Sequence, residues 1–110
     1  MSKTFREIQA RAIEIRQRYA RLDVKNGGRR WNGEELALGF VGDVGDLVKL
    51  IQATEGIREI DGAAKKLKHE LADCLWSVMV LADYYGVDLE AEFGRTMDEL
   101  DAEIAAGGEK

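Results

Sequence analysis

Not one of the 110 residues is proline. Proline breaks a helix from within, because it lacks an amide donor and its ring collides with the preceding turn. A chain without it can run in long helices, and the apolar residues here recur at the helical period. Phe5, Ile8, Ala12, Ile15 and Tyr19 form one stripe, and Leu36, Phe40, Val44, Leu47 and Ile51 a second. Leu89, Phe93, Met97, Leu100 and Ile104 form another near the C-terminus. Between them, the segment from Leu67 to Ala82 is apolar over most of its circumference, the pattern of a helix covered on several sides. Short apolar runs such as Leu36–Val41 and Val78–Leu81 lie inside these longer periods, so no strand is predicted.

Punctuating residues set the boundaries. Thr4 and Glu7 stand in the capping-box relation, opening a helix predicted over Thr4–Leu22. The 23–31 segment contains Asn26-Gly27-Gly28 and is predicted as a loop. Asn32 and Glu35 repeat the capping-box spacing and open a second helix that ends near Gly56. A third is predicted from near Asp61 to about Tyr85, with Gly86 just past its end. Asp88 caps a fourth, and residues 107–110 are predicted to fray. The expected fold class is all-α: one four-helix, bundle-like domain over residues 1–110, with short connections favouring antiparallel neighbours.

Charge narrows the function classes. Residues 1–31 carry nine Lys/Arg against three Asp/Glu, and residues 32–110 carry seven against eighteen, for a net charge of -5. A broadly basic nucleic-acid-binding surface is disfavoured, so no nucleic-acid partner is expected. The basic arm either meets an anion or pairs with the acidic body. A single cysteine, Cys74, excludes an intramolecular disulfide framework and a cysteine-based zinc cage; in its apolar run it reads as a small hydrophobe. No apolar stretch approaches the ~18 residues of a membrane span. The first residues lack the apolar core of a signal peptide, so a cytoplasmic protein without a membrane partner is expected.

The acids within the apolar helices are the informative anomaly. Glu70 and Asp73 are spaced i, i+3 inside the apolar third segment, and Ser77 continues their stripe one turn later. The second helix carries a matching pair, Asp43 and Asp46, among Phe40, Val41, Val44, Leu47 and Val48. Aspartate is a weak helix former, so propensity does not account for two copies in mid-helix. Gly39, Gly42 and Gly45 recur in the same helix, each costing about 1 kcal/mol relative to alanine; close approach of another group is one physical return. Packed antiparallel, the two helices would bring four carboxylates together. Such a group needs a counter-charge. A hard divalent cation with oxygen ligands, Mg²⁺ or Mn²⁺, supplies one, and commonly takes substrate phosphate as a further ligand. The competing reading is solvated faces, or pairing with Lys49, Lys65, Lys66 or Lys68.

Gly42-Asp43-Val44-Gly45-Asp46-Leu47 followed by Glu70-Leu71-Ala72-Asp73 resembles the ExxE…ExxD signature of the MazG-like all-α nucleotide pyrophosphohydrolases. The stretch His69–Glu90 is similar to the second half of that family's domain, and the resemblance extends over about Trp31–Leu100. It implies cleavage of a nucleoside triphosphate to monophosphate and pyrophosphate, including removal of non-canonical (d)NTPs. It also implies Mg²⁺, with Mn²⁺ as a substitute, and Asp43, Asp46, Glu70 and Asp73 as metal-binding and catalytic residues. Trp31 and Asn32 lie near where such enzymes receive base or sugar, and Lys65, Lys68 and Ser77 are the further substrate-binding candidates. Trp76 is expected to fill the bundle or a subunit interface, and His69 to lie at the surface or the core edge rather than to be a ligand. Asp43 and Asp46 replace the family's usual glutamates, Gly42 replaces another, and only Arg95 matches the downstream Lys/Asn-containing helix. These departures motivate a second expectation, a helical oligomerisation or binding protein that has lost catalysis. A phosphoribosyl-ATP pyrophosphohydrolase-like enzyme shares the architecture. Relatives assemble as dimers or tetramers, which the apolar third helix suits.

Overall fold

The computed structural model describes residues 2–107, which form four α-helices and no strand. They are α1 (Phe5–Lys25), α2 (Gly33–Thr54), α3 (Ala63–Tyr84) and α4 (Leu89–Ala105). The all-α expectation holds. No helix among the described residues is long and apolar enough to cross a membrane.

Both capping boxes form. The Glu7 amide donates to Thr4 Oγ1 at 3.2 Å, and the Thr4 amide to Glu7 Oε1 at 3.1 Å. The Glu35 amide donates to Asn32 Oδ1 and the Asn32 amide to Glu35 Oε1, both at 3.0 Å. Asp88 caps α4 by accepting from the Ala91 amide at 3.2 Å. One boundary differs from the sequence expectation. The first helix runs on through Asp23 and Val24 to Lys25, because neither residue breaks it and Asn26-Gly27 does. The 23–31 loop therefore shortens at its start. Gly62, next to Asp61, caps α3 at φ 69° without a side-chain hydrogen bond. Gly107 turns the chain at φ 80° after α4, and residues 108–110 of the expected frayed tail lie outside the described residues.

Packing centres on the α2–α3 pair, with α1 laid across α3. Ala20, Leu50, Met79, Val80 and Ala82 are the buried apolar residues among those described. At the open end of the antiparallel hairpin Tyr84 and Tyr85 meet the start of α2. A Cβ built on Gly33 would stand 2.8 Å from Tyr85 Cζ and 3.0 Å from Tyr84 Cε1, so a side chain there would push the tyrosine rings aside. The Trp76 indole N–H donates to the Ala12 carbonyl at 2.9 Å, which anchors α1 on α3. Arg6 holds the start of α4 through Asp88 (3.1 Å) and Glu90 (3.0 Å), and the rest of α4 touches the other helices little.

The result is open. Its radius of gyration is 17.2 Å, against about 13 Å for a compact domain of this size. The sequence predicts a third helix covered on several sides. In the single chain Leu71 and Leu75 are half exposed, at 53% and 50%, because α1 and α2 cover only part of its apolar circumference.

The caps set an acid limb for stability. Backbone and side-chain hydrogen bonds from Thr4 lower the Glu7 pKa, and those from Arg29 and Asn32 lower that of Glu35. The Ala91 amide and Arg6 lower that of Asp88. A depressed folded value stabilises fully above the ordinary carboxylate range, and the contribution disappears as pH falls through the folded value. Melting temperature is therefore expected to fall on acidification below the ordinary range. Glu35→Gln should flatten that limb in a pH series of thermal melts; an unchanged slope would show that the α2 cap does not set it.

Candidate functional site

The α2–α3 hairpin places the acidic residues. Asp43 and Asp46, one turn apart on α2, meet Glu70 of α3, and one carboxylate oxygen from each lies within 4.8 Å of the others. The helix spacing predicts four converging carboxylates; this group contains three. Asp73 stands outside it, although it is one turn from Glu70, because its Oδ2 pairs with His69 Nε2 at 3.2 Å along the same helix. His69 is exposed, as expected from its angle to Glu70.

Glu70 is the strained member. Its Oε2 is shielded from solvent and has no hydrogen-bond partner. Desolvation raises its pKa most, and Asp73, Asp43 and Asp46 add to the rise, against a smaller opposing effect of His69. Asp43 is oriented by Ser77, whose hydroxyl donates to Oδ2 at 3.0 Å. The Cys74 thiol is pushed up by burial first and then by Asp43, Glu70 and Asp73. It therefore stays protonated, which leaves an all-oxygen donor set. Three oxygens, one of them orphaned, fit a hard divalent cation, and no Lys or Arg among the described residues bridges to them.

A cavity of about 340 Å³ adjoins the cluster and shares Asp43 with it. Its aromatic walls are Tyr19, Trp31 and Trp76, with Tyr19 and Trp76 rings 5.9 Å apart. Ser77 and Gly39 also line it. A Cβ on Gly39 would lie 3.2 Å from Trp31 Cζ3, so this glycine lets Trp31 settle against α2. Gly42 and Gly45 face open space instead. Of the three spaced glycines, only Gly39 meets a neighbour among the described residues.

The other sequence candidates are distributed unevenly. Trp31 and Ser77 line the cavity. The Asn32 side chain is committed to the α2 cap and borders a second, adjoining hollow. Lys65 and Lys68 are exposed on the first turns of α3, and neither lines this cavity. Outside that set, Arg29 is held by Glu35 at 2.7 and 3.0 Å. The sequence expectation missed Arg16, Tyr19 and Asp23 as cavity-lining residues. Their spacing of i, i+3 and i+7 puts them on one face of α1, but Tyr19 counts equally well as core. Trp76 also faces the cavity besides anchoring α1.

Residues 32–102 match the family model described as the MazG nucleotide pyrophosphohydrolase domain. No curated protein and no solved structure matches the chain. The matched span contains Asp43, Asp46, Glu70, Asp73 and Ser77, whereas α1 and Trp31 precede it.

Proposed function

This chain belongs to the MazG nucleotide pyrophosphohydrolase family, and from that premise we propose that it hydrolyses nucleoside triphosphates to the monophosphate and pyrophosphate. The observation that carries the reading is the shared wall: one residue, Asp43, belongs both to the carboxylate group and to the aromatic cavity. A nucleotide is the ligand class with a flat base at one end and a metal-seeking polyphosphate at the other.

Asp43, Asp46 and Glu70 would hold Mg²⁺ or Mn²⁺. A cation there offsets polyphosphate charge and makes a bound water more acidic. Ser77 keeps the Asp43 carboxylate aimed through its hydrogen bond, as outer partners of metal ligands do. Asp73, one turn from Glu70, joins the acidic set when its pairing with His69 is released. Trp31, Tyr19 and Trp76 stack against the base and keep water from its faces. Asn32 supports this wall through the α2 cap. Lys65 and Lys68, exposed near the start of α3, are the lysines available to the departing pyrophosphate.

The functional unit in this reading is a homo-dimer or homo-tetramer. Val41, Val44, Val48 and Ile51 form an exposed stripe on α2, with Val41 65% exposed. Leu71 and Leu75 on α3, and Phe93, Met97 and Ile104 on α4, are exposed as well. Patches of this kind mark association surfaces. A second copy is the occupant that gives both chains a larger core. Gly42 and Gly45, open in the single chain, let its backbone approach closely.

The test is a panel of canonical and modified NTPs and dNTPs, with phosphoribosyl-ATP, in Mg²⁺ or Mn²⁺, assayed for pyrophosphate against orthophosphate. Pyrophosphate in equal amount to the monophosphate is expected. No turnover of any substrate would overturn the enzymatic reading in favour of a binding module, and orthophosphate as first product would mark a different phosphatase.

A further inference from the structure

Two charged residues of the cavity have no role in the proposed reaction. Arg16 and Asp23 both line it, from one face of α1. Neither makes a side-chain hydrogen bond or ion pair with any described residue. Arg16 instead lies over the Trp31 ring, its guanidinium carbon 5.6 Å from the centroid, on the face a stacked base would use. Asp23 is half-buried beside the aromatic walls. An unpaired guanidinium and an unpaired carboxylate flanking an aromatic cavity are a donor set and an acceptor set awaiting a ligand.

We propose that Asp23 and Arg16 make this cavity selective for guanine, an inference that rests on reading the cavity as the base site. A carboxylate with two free oxygens is best matched by two adjacent N–H donors. Guanine presents such a pair, its ring N1–H and its exocyclic 2-amino group. Adenine and cytosine place an acceptor nitrogen beside their amino group, and that lone pair would face a carboxylate oxygen. Uracil and thymine flank a single imide N–H with two carbonyl oxygens. On its other edge guanine offers O6 and N7, the acceptor pair a guanidinium takes bidentately. Arg16 and Asp23, seven residues apart, are separated by about 10 Å of helix rise, room for a purine with a hydrogen bond at each end. Arg16 leaves the face of Trp31 as the base arrives, so the ring's contact with a cation gives way to stacking on the base.

The experiment reads binding apart from turnover. Trp31 and Trp76 are the two tryptophans of the chain and both face the cavity, so intrinsic fluorescence follows occupancy. Guanosine, inosine, adenosine, cytidine and uridine monophosphates are titrated into wild type, Asp23→Asn and Arg16→Ala. Inosine monophosphate differs from guanosine monophosphate only by the 2-amino group. It should bind at least about tenfold more weakly to wild type, and Asp23→Asn should bring the two within about twofold. Arg16→Ala should weaken guanosine monophosphate while leaving its advantage over inosine monophosphate. Equal binding of all five nucleotides, or a guanosine advantage that survives Asp23→Asn, overturns the proposal even when NTPs are turned over. Failure of every NTP to turn over, with guanosine selectivity intact, sinks the catalytic reading and leaves the base assignment standing.

Discussion

Glu70→Gln is expected to raise the melting temperature of the metal-free protein and to abolish its activity. The two effects have one cause. In the metal-free chain Glu70 shares a site with Asp43 and Asp46, with its Oε2 shielded and unpartnered. A half-buried carboxylate with one shielded, unpartnered oxygen among like charges destabilises the fold. Glutamine keeps the shape and removes the charge, so a rise of about 2–5 °C is expected for a domain of this size. The same substitution takes away one of three oxygens for the cation, and turnover should drop by at least about two orders of magnitude. Mg²⁺ should raise the melting temperature of wild type, because it binds the folded state alone, and should raise that of Glu70→Gln less. Thermal melts with and without Mg²⁺ give both comparisons. A variant that melts lower in the absence of metal would show that Glu70 is satisfied in the fold and is not held against its neighbours.

The second large effect concerns assembly. Few residues are buried in the single chain, and Val41 and Leu71 stand out on exposed apolar surface. Covering a side chain of that size contributes about 1.5–3 kcal/mol, and a second copy covers several. Val41→Glu places a charge at the most exposed residue of the α2 stripe, where a second copy cannot cover it without a counter-charge. Wild type should sediment as a dimer or tetramer of the 12.3 kDa chain. Val41→Glu should shift to monomer and melt at least about 5 °C lower. Lys49→Glu, an exposed change on the same helix, should leave both unchanged. A wild-type monomer at micromolar concentration would contradict this account of the apolar surface.

Local chemistry made much of the fold readable. Thr4–Glu7 and Asn32–Glu35 form the reciprocal hydrogen bonds that their spacing predicts, because a capping box needs only four consecutive residues. Helical period and the absence of proline located all four helices. The pairing of α2 with α3 was also legible, since the two acid pairs make sense only if the helices meet. What depends on distant neighbours was not. The spacing of Glu70 and Asp73 puts both on one face, yet it cannot show that Asp73 would turn to His69. Gly33 reads as an ordinary first residue of a helix until Tyr84 and Tyr85 are seen against it. Arg16 and Asp23 look like solvated charges on an amphipathic helix, and only the crossing of α1 over α3 brings them to the cavity wall. The apolar circumference of α3 was visible, but whether this chain or another covers it is a matter of tertiary packing.

The central claim is that Asp43, Asp46 and Glu70 form one divalent-cation site serving polyphosphate hydrolysis. Mn²⁺ titration followed by electron paramagnetic resonance tests it most directly, because free Mn²⁺ gives the signal and bound Mn²⁺ loses it. Wild type should remove free Mn²⁺ saturably. Asp43→Asn, Asp46→Asn and Glu70→Gln should each weaken that binding by about tenfold or more. Wild-type protein that leaves the free Mn²⁺ signal unchanged, or three variants that bind as wild type does, would contradict the claim.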